Sequence, residues 1–360
     1  MLSVVKRWFN DIFSSTEVVS LFFSIVIGIG VFYFLSNTLM PLLVAIVLAY
    51  LLDGLSDRLC KCKIPRMASI VIVFLLFIVS CLIIIFALLP LLTKQITAFV
   101  GQLPSMLGQG QDLLAQLPKL YPEFFNDLQI AEISNSIRYA ITSIGQDVLS
   151  YSVANVINIF AVLVYAFLIP MMIFFLLKDK KEIIVWAQNF MPYKPILAKK
   201  IFKEVDLKIS SYIRGKFIEI MLVWLTSFIL FISFGLKFSF LLSFLVGLSV
   251  IIPFVGVVLV TIPIIFIAYI QFGMVPLFGY LLLGHAIIQI VDGNVIVPIL
   301  FSEVVNLHPL AIIVAVLFFG GIWGVWGIFF AIPLATLFHS IINSWQNAQQ
   351  RETINPKNPL

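Results

Sequence analysis

Apolar residues in this chain come in unbroken stretches parted by short polar breaks, rather than on one stripe or in alternation. A bilayer core needs about 20 apolar residues per crossing helix. Residues 18–35 form the first stretch and 39–52 the second, with Pro41 in its first turn, where a missing N–H costs little. Ser36-Asn37-Thr38 between them predicts a tight helical hairpin. Residues 67–92, 151–177, 217–236 and 275–291 read as further spans. The pattern predicts an all-α polytopic membrane protein. It argues against a β-barrel, whose strands alternate over about ten residues.

Two stretches are too long for one crossing. Residues 239–270 and 309–341 contain no Asp, Glu, Lys or Arg. The first, as a straight helix, would reach about 48 Å at 1.5 Å per residue. The hydrocarbon core is about 30 Å thick, and tilt absorbs part of the excess. Each stretch has a break in its middle: Ile252-Pro253-Phe254-Val255-Gly256 in the first, and Gly320, Gly321, Gly324 and Gly327 in the second. Pro263 follows one break and Pro333 the other, at a period near 70 residues. This reads as an internal repeat of one span plus one broken run. Two folds stay open. Re-entrant hairpins make each repeat cross once, which gives the inverted-repeat plan of secondary transporters with a site near the midplane. Long kinked helices give eight spans in parallel repeats. Residues 302–308 are cytoplasmic in the first case and outside in the second.

Charge sets the topology. Only 11% of residues are charged and 62% are hydrophobic, which excludes a soluble enzyme, a nucleic-acid binder or a disordered chain as the main body. The net charge of +5 comes from loop lysines and arginines, the positive-inside pattern, so no nucleic-acid partner is expected. Lys6 and Arg7, the loop 53–66 and the lysine-rich 178–216 fall on one side, placing both termini in the cytoplasm. Residues 93–150 fall outside, with five acids against three bases. There Ile130, Ile133, Ile137, Ile141, Ile144 and Val148 recur at helical steps, an amphipathic helix. Leu197, Ile201, Val205 and Ile209, flanked by lysines, form a basic amphipathic helix suited to an anionic inner leaflet. The chain thus divides into residues 1–92 (three spans), 93–150 (amphipathic segment), 151–216 (a span and the basic helix), 217–345 (a core with both broken runs) and 346–360 (a cytoplasmic tail). Cys60-Lys61-Cys62 has no second Cys/His pair nearby, so no metal site is expected. The first stretch reads as a retained helix rather than a cleaved leader.

Candidate chemistry is sparse. From residue 217 to 350 the charged side chains are Glu219, Lys237, Asp292 and Glu303. Asp292 with Asn294 ends an apolar helix and precedes Pro298. A carboxylate at membrane depth is costly unless it faces a cavity or partner, so this pair is a substrate or ion site; an interfacial turn capping the next helix is the equal alternative. His285 lies mid-span with Gln289 one turn on, which fits an interhelical polar contact as well as a relay. Glu303 and His308 flank a short loop; Glu303, with His285, joins Asp292 and Asn294 as a candidate substrate or ion ligand, and His308-Pro309 reads as the opening of the last run. Pro253, Gly256, Pro298, Gly320, Gly321 and Gly324 are the hinge or unwound-backbone positions. Arg214 and Glu219 are candidates for a cytoplasmic gate. Metalloprotease, nucleotide-binding and hydrolase motifs are missing, so neither enzyme activity nor a cofactor is expected, beyond coupling to H⁺ or Na⁺.

Taken in order, several short pieces resemble one family. They are Phe174-Phe175-Leu176-Leu177-Lys178-Asp179, Tyr212-Ile213-Arg214-Gly215-Lys216, Ile252-Pro253-Phe254-Val255-Gly256, Asp292-Gly293-Asn294 with Pro298, Leu307-His308-Pro309-Leu310, and Gly320-Gly321 to Gly324, Gly327 and Pro333. Their order and spacing resemble the autoinducer-2 exporter family, also described as PerM-type permeases. The chain departs from that pattern at Leu52-Asp53-Gly54, where many members carry a proline. The resemblance implies an inner-membrane permease with seven to eight transmembrane helices, a homo-oligomer, and export of a small solute such as autoinducer-2. Na⁺(Li⁺)/H⁺ antiport is the alternative, and a non-transporting membrane scaffold is the reading from another class.

Overall fold

The structure is a computed structural model that describes residues 36–114, 159–188, 195–302 and 307–354, with a few positions between 131 and 139. The first apolar stretch and the series from Ile130 to Val148 lie outside the described residues. Every described element is helical. In chain order they are α1 (Ser36–Lys61), α2 (Arg66–Ile83), a π-helical turn (Ile84–Leu88), α3 (Leu89–Leu114), α4 (Ile159–Lys178), α5 (Lys180–Gln188), α6 (Pro195–Ser233), α7 (Ser239–Ser249), α8 (Val255–Phe272), α9 (Pro276–Val291), a second π-helical turn (Asp292–Ile296), α10 (Val297–Phe301) and α11 (Pro309–Ile354). Six helices among the described residues are long and apolar enough to cross a bilayer. Leu76, Ile83, Phe86, Leu225, Ile229, Leu283 and Leu317 are exposed on them, as a hydrocarbon solvent allows. This is an all-α polytopic membrane protein.

Several helices overrun the breaks read in the sequence. α1 continues to Lys61 because Leu52 and Leu59 keep the apolar spacing into the basic loop and pack with Ile70 and Val73 of α2. The basic amphipathic helix and the span after it are one helix, α6, because neither proline nor glycine pair interrupts them. α3 passes through Pro104.

The chain forms two compact units. The first comprises Met1–Phe77, Leu168–Ile218 and Ile296–Leu360. One core joins α1, α2 and α4 through Ala45, Ala49, Ile70, Val73, Ile173 and Leu177, with the alanines one turn apart so that helices approach closely. Another is built on Tyr212, whose hydroxyl donates to the Phe329 carbonyl (3.2 Å) and whose ring stands 5.5 Å from that of Phe301. The second unit comprises Ile78–Phe167 and Glu219–Val295. Its core is Val223 and Phe231 of α6, Leu242 and Val246 of α7, Val260 and Ile264 of α8, and Leu281 of α9. α3 rests on it through Phe99 against Phe238 (5.4 Å) and through Gln95 Oε1, which accepts the Leu241 N–H (2.9 Å).

Both overlong stretches fold back. In the second unit the chain turns between α7 and α8 at Ile252-Pro253-Phe254, with Phe254 at φ 64° and exposed at the tip. The open ends of the arms are pinned together. Gln271 Oε1 accepts the Lys237 N–H and Gln271 Nε2 donates to the Gly235 carbonyl, both at 2.7 Å. Gly256 sits where the arms cross, and a Cβ there would overlap the Ser249 carbonyl oxygen. In the first unit α11 reverses at Gly324 (φ 60°, ψ −136°), so Ala315 and Phe319 of one arm pack on Ala331 of the other. A Cβ on Gly327 would overlap the Phe319 carbonyl oxygen, and one on Gly320 would press on Ile328. The two crossing glycines repeat the near-70-residue period of the sequence. Gly321 and Gly324 face open space.

Ordinary helical glycines gain about 0.5–1 kcal/mol on replacement by alanine. Gly256→Ala and Gly327→Ala are expected to do the reverse, losing about 1–3 kcal/mol through forced separation of the arms. Gly321→Ala is expected to be neutral or better. Thermal unfolding of the three purified variants measures the difference in sign, and stabilisation of either crossing-glycine variant would refute the close approach.

Candidate functional site in the second unit

Several buried polar groups of the second unit lie on α6, α8 and α9. α7 runs antiparallel to α6, since Trp224 meets Phe244 and Phe228 meets Phe240 (ring centroids 5.9 and 5.7 Å). α8 returns antiparallel to α7 across the tight turn. α9 is antiparallel to α8, with Tyr269 against Phe278 (5.8 Å) and Thr261 against His285. α9 therefore runs antiparallel to α6. The two meet where Phe231 faces His285 (6.0 Å) and Leu230 packs on Gly284. Extended by helical turns, the same register sets Ser227 at the height of Gln289 and Trp224 at the height of Asp292, while the Trp224 ring itself packs on Phe240 and Phe244 of α7.

His285 is buried, and its Nε2 lies 3.1 Å from Thr261 Oγ1. That hydroxyl already donates its proton to the Val257 carbonyl (2.7 Å), so it accepts from Nε2–H. The neutral ring then presents Nδ1 as a bare acceptor, and Nδ1 has no hydrogen-bond partner among the described residues. The same holds for both amide atoms of Gln289, the Ser227 hydroxyl and the Trp224 indole N–H, all buried. Asp292 is 6% exposed and sits where α9 widens into its π-helical turn. Such turns are frequent at functional sites because they re-aim side chains. The result is a column of mixed donors and acceptors ending in a carboxylate. Buried polar groups in helices at membrane depth are expensive, which singles this column out from the surrounding aliphatic core. No trio of metal-ligating side chains occurs among the described residues.

The other candidates are distributed differently. Asn294 is exposed and donates to the Ile290 carbonyl (2.8 Å), which serves the π-helical turn rather than a site shared with Asp292. Glu303 lies outside the described residues. His308 accepts the Leu310 N–H on Nδ1 (3.2 Å) and opens α11. Pro298 is exposed in the first turn of α10. Glu219 is buried at the foot of the second unit's share of α6. Arg214 belongs to the first unit, where its side chain lies across Gly54; a Cβ there would stand 2.8 Å from Arg214 Cδ. Beside it Gly215 admits the Phe301 ring, and Lys216 Nζ stands 5.7 Å from that ring's centre. Tyr212-Ile213-Arg214-Gly215-Lys216 is therefore a packing hub of the first unit. Sequence reasoning missed Trp224, Ser227 and Thr261 as members of the column. For Trp224 and Ser227 the available signal was polarity at i, i+3 spacing in the apolar half of α6, with Phe231 one turn on; Thr261, on α8, had no such signal.

Comparison with known proteins fits this architecture. Residues 22–347 match the model of the AI-2E family transporter. The putative permease PerM of Escherichia coli (strain K12) is 40% identical over 349 residues, covering 97% of this chain and 99% of that protein. The putative transport protein YueF of Bacillus subtilis (strain 168) is 28% identical over 310 residues, covering 84% of this chain and 82% of that protein. The AI-2 transport protein TqsA of Escherichia coli (strain K12) is 20% identical over 304 residues, covering 84% and 85%. With a family match across nearly the whole chain and a full-length relative named as a permease, this multi-pass membrane protein belongs to the AI-2E transporter family.

Proposed function

We propose that this protein is a secondary transporter that exports a small polar solute by alternating access, coupled to H⁺ or Na⁺, across the inner membrane, as a homo-oligomer with both termini cytoplasmic. The observation that carries the reading is the set of buried, unpartnered polar groups on Trp224, Ser227, His285 and Gln289, with the buried carboxylate of Asp292 on the same helix as the last two. A non-transporting scaffold gains nothing from side chains whose hydrogen-bonding groups are left to a guest. The indole N–H, hydroxyl and amide supply neutral hydrogen bonds to a polar cargo. Asp292 supplies the one formal negative charge of the column, suited to a cation or an exchanged proton. That carboxylate favours Na⁺(Li⁺)/H⁺ antiport as the second reading. Autoinducer-2 enters as a candidate cargo through the printed name of TqsA, a relative at 20% identity. Chain reversals at Pro253 and Gly324 support hairpins moving as units, as in inverted-repeat transporters.

The test is flux in proteoliposomes under an imposed pH or Na⁺ gradient, with autoinducer-2 and with Na⁺ and Li⁺ as cargo. Asp292→Asn is expected to fold normally by size-exclusion profile and to abolish gradient-driven flux. Undiminished flux in that variant would remove Asp292 from coupling, and no flux of any cargo in the native protein would favour a scaffold. Gln289→Leu separates function from stability. An amide left unpaired in an apolar interior costs roughly 1–3 kcal/mol, so this variant is expected to melt at a higher temperature while losing transport. A lower melting temperature would show that the amide is held by the protein itself.

A further inference from the structure

Away from the column, the first unit carries a second charged cluster around Asp53 of α1. Asp53 is 6% exposed. Its Oδ2 accepts from Lys180 Nζ at 2.7 Å and its Oδ1 pairs with Arg66 at 3.3 Å. One turn earlier on α1 Tyr50 donates its hydroxyl to Asp206 Oδ1 (2.6 Å), and the Lys180 ammonium stands 5.8 Å from the Tyr50 ring centre. Between α1, the end of α4 and α5 lies an open-mouthed cavity of about 190 Å³. Its walls include Ile46, Ala49, Leu177 and Ile184, and Asp53 and Lys180 stand at its polar end.

We infer that this cavity holds one acyl chain of an anionic phospholipid, with the lipid phosphate on Lys180. The walls strip water from a guest and return no hydrogen bonds, which disfavours a polar solute and suits an alkyl chain. Left empty, they forfeit dispersion contacts. Lysines outnumber acids along the stretch at the cavity's mouth, Lys178, Lys180 and Lys181 against Asp179 and Glu182. Lys180 keeps 29% of its side chain exposed and donates one of its three N–H bonds to Asp53. Lys178 and Lys181 flank it on the exposed surface. The cavity's depth is set by α5. Val185 and Trp186 are 58% and 63% exposed beside those lysines, the pattern of a helix lying among lipid headgroups. Asp53, paired also with Arg66, holds the Lys180 ammonium at the mouth, where a phosphate oxygen takes the next N–H. A zwitterionic headgroup brings a second cation against these lysines and is disfavoured.

The experiment is native mass spectrometry and thermal unfolding of the full chain with phosphatidylglycerol or phosphatidylcholine of identical chains. The native protein is expected to retain phosphatidylglycerol about fivefold over phosphatidylcholine, the ratio that one surface lysine contributes. Lys180→Gln, which leaves Asp53 paired with Arg66, is expected to bring the two to parity, and Lys180→Arg to restore the preference. Ile184→Trp fills the cavity and keeps every charge; it is expected to lose the retained lipid while melting at or above the native temperature. Equal retention of the two lipids by the native protein would overturn the inference. So would full phosphatidylglycerol retention by Ile184→Trp, or stabilisation by free glycerol phosphate equal to that by the lipid, which would make the site one for a soluble anion.

Discussion

Inside hydrocarbon a backbone has no water to bond with, so a chain that turns there must turn tightly and keep both arms helical. That constraint shapes both overlong stretches. The arms can approach closely enough to exclude lipid only where one of them has no side chain at the crossing. Gly256 against the Ser249 carbonyl and Gly327 against the Phe319 carbonyl meet that need in the same way. Neighbouring positions follow suit, with Ala315 and Ala331 closing the second hairpin and Gln271 tying the open end of the first. Each hairpin thus has a defined, closely packed seam.

The first hairpin also bears on the polar column. α8, the returning arm of the first hairpin, carries Thr261, and α9 carries His285, so their hydrogen bond couples the hairpin to the span beside it. Within the second unit the aliphatic core of Val223, Leu242, Val246 and Ile264 supplies cohesion. The column contributes the opposite: in Trp224, Ser227, His285 and Gln289, buried groups whose hydrogen bonds the described protein does not complete. Sites of this kind cost stability and are kept where a guest repays them, which is the physical basis for reading transport here. The π-helical turn at Asp292 has the same character, since it widens the helix at the point where the carboxylate is buried.

Much of the architecture was legible in the sequence because lipid leaves few options. Apolar stretches gave the spans, and proline and glycine marked the two reversals. Which glycine of Gly320, Gly321, Gly324 and Gly327 takes the turn and which takes the seam was not legible. All four have the same composition, and only the path of the returning arm distinguishes them. Helix ends were also hidden, because charged residues such as Arg58 and Lys61 do not stop a helix whose leucines keep their spacing. The site was half visible. Asp292 and His285 stand out in apolar surroundings, whereas Ser227 and Trp224 gain meaning only from the register of α6 against α9. Asn294 looked like a partner of Asp292 by proximity in sequence, but the π-helical turn directs it outward to its own backbone. The Asp53–Lys180 pair spans 127 positions and had no sequence signal at all.

The direct test of folding back is the sidedness of the first hairpin's two ends. In a background lacking Cys60, Cys62 and Cys81, single cysteines at Lys237 and Met274, both exposed, are labelled with an impermeant thiol reagent in sealed, oriented vesicles. The account predicts that both react from the same side of the membrane. Reaction from opposite sides would make the stretch a single crossing helix and contradict the hairpin on which the rest is built.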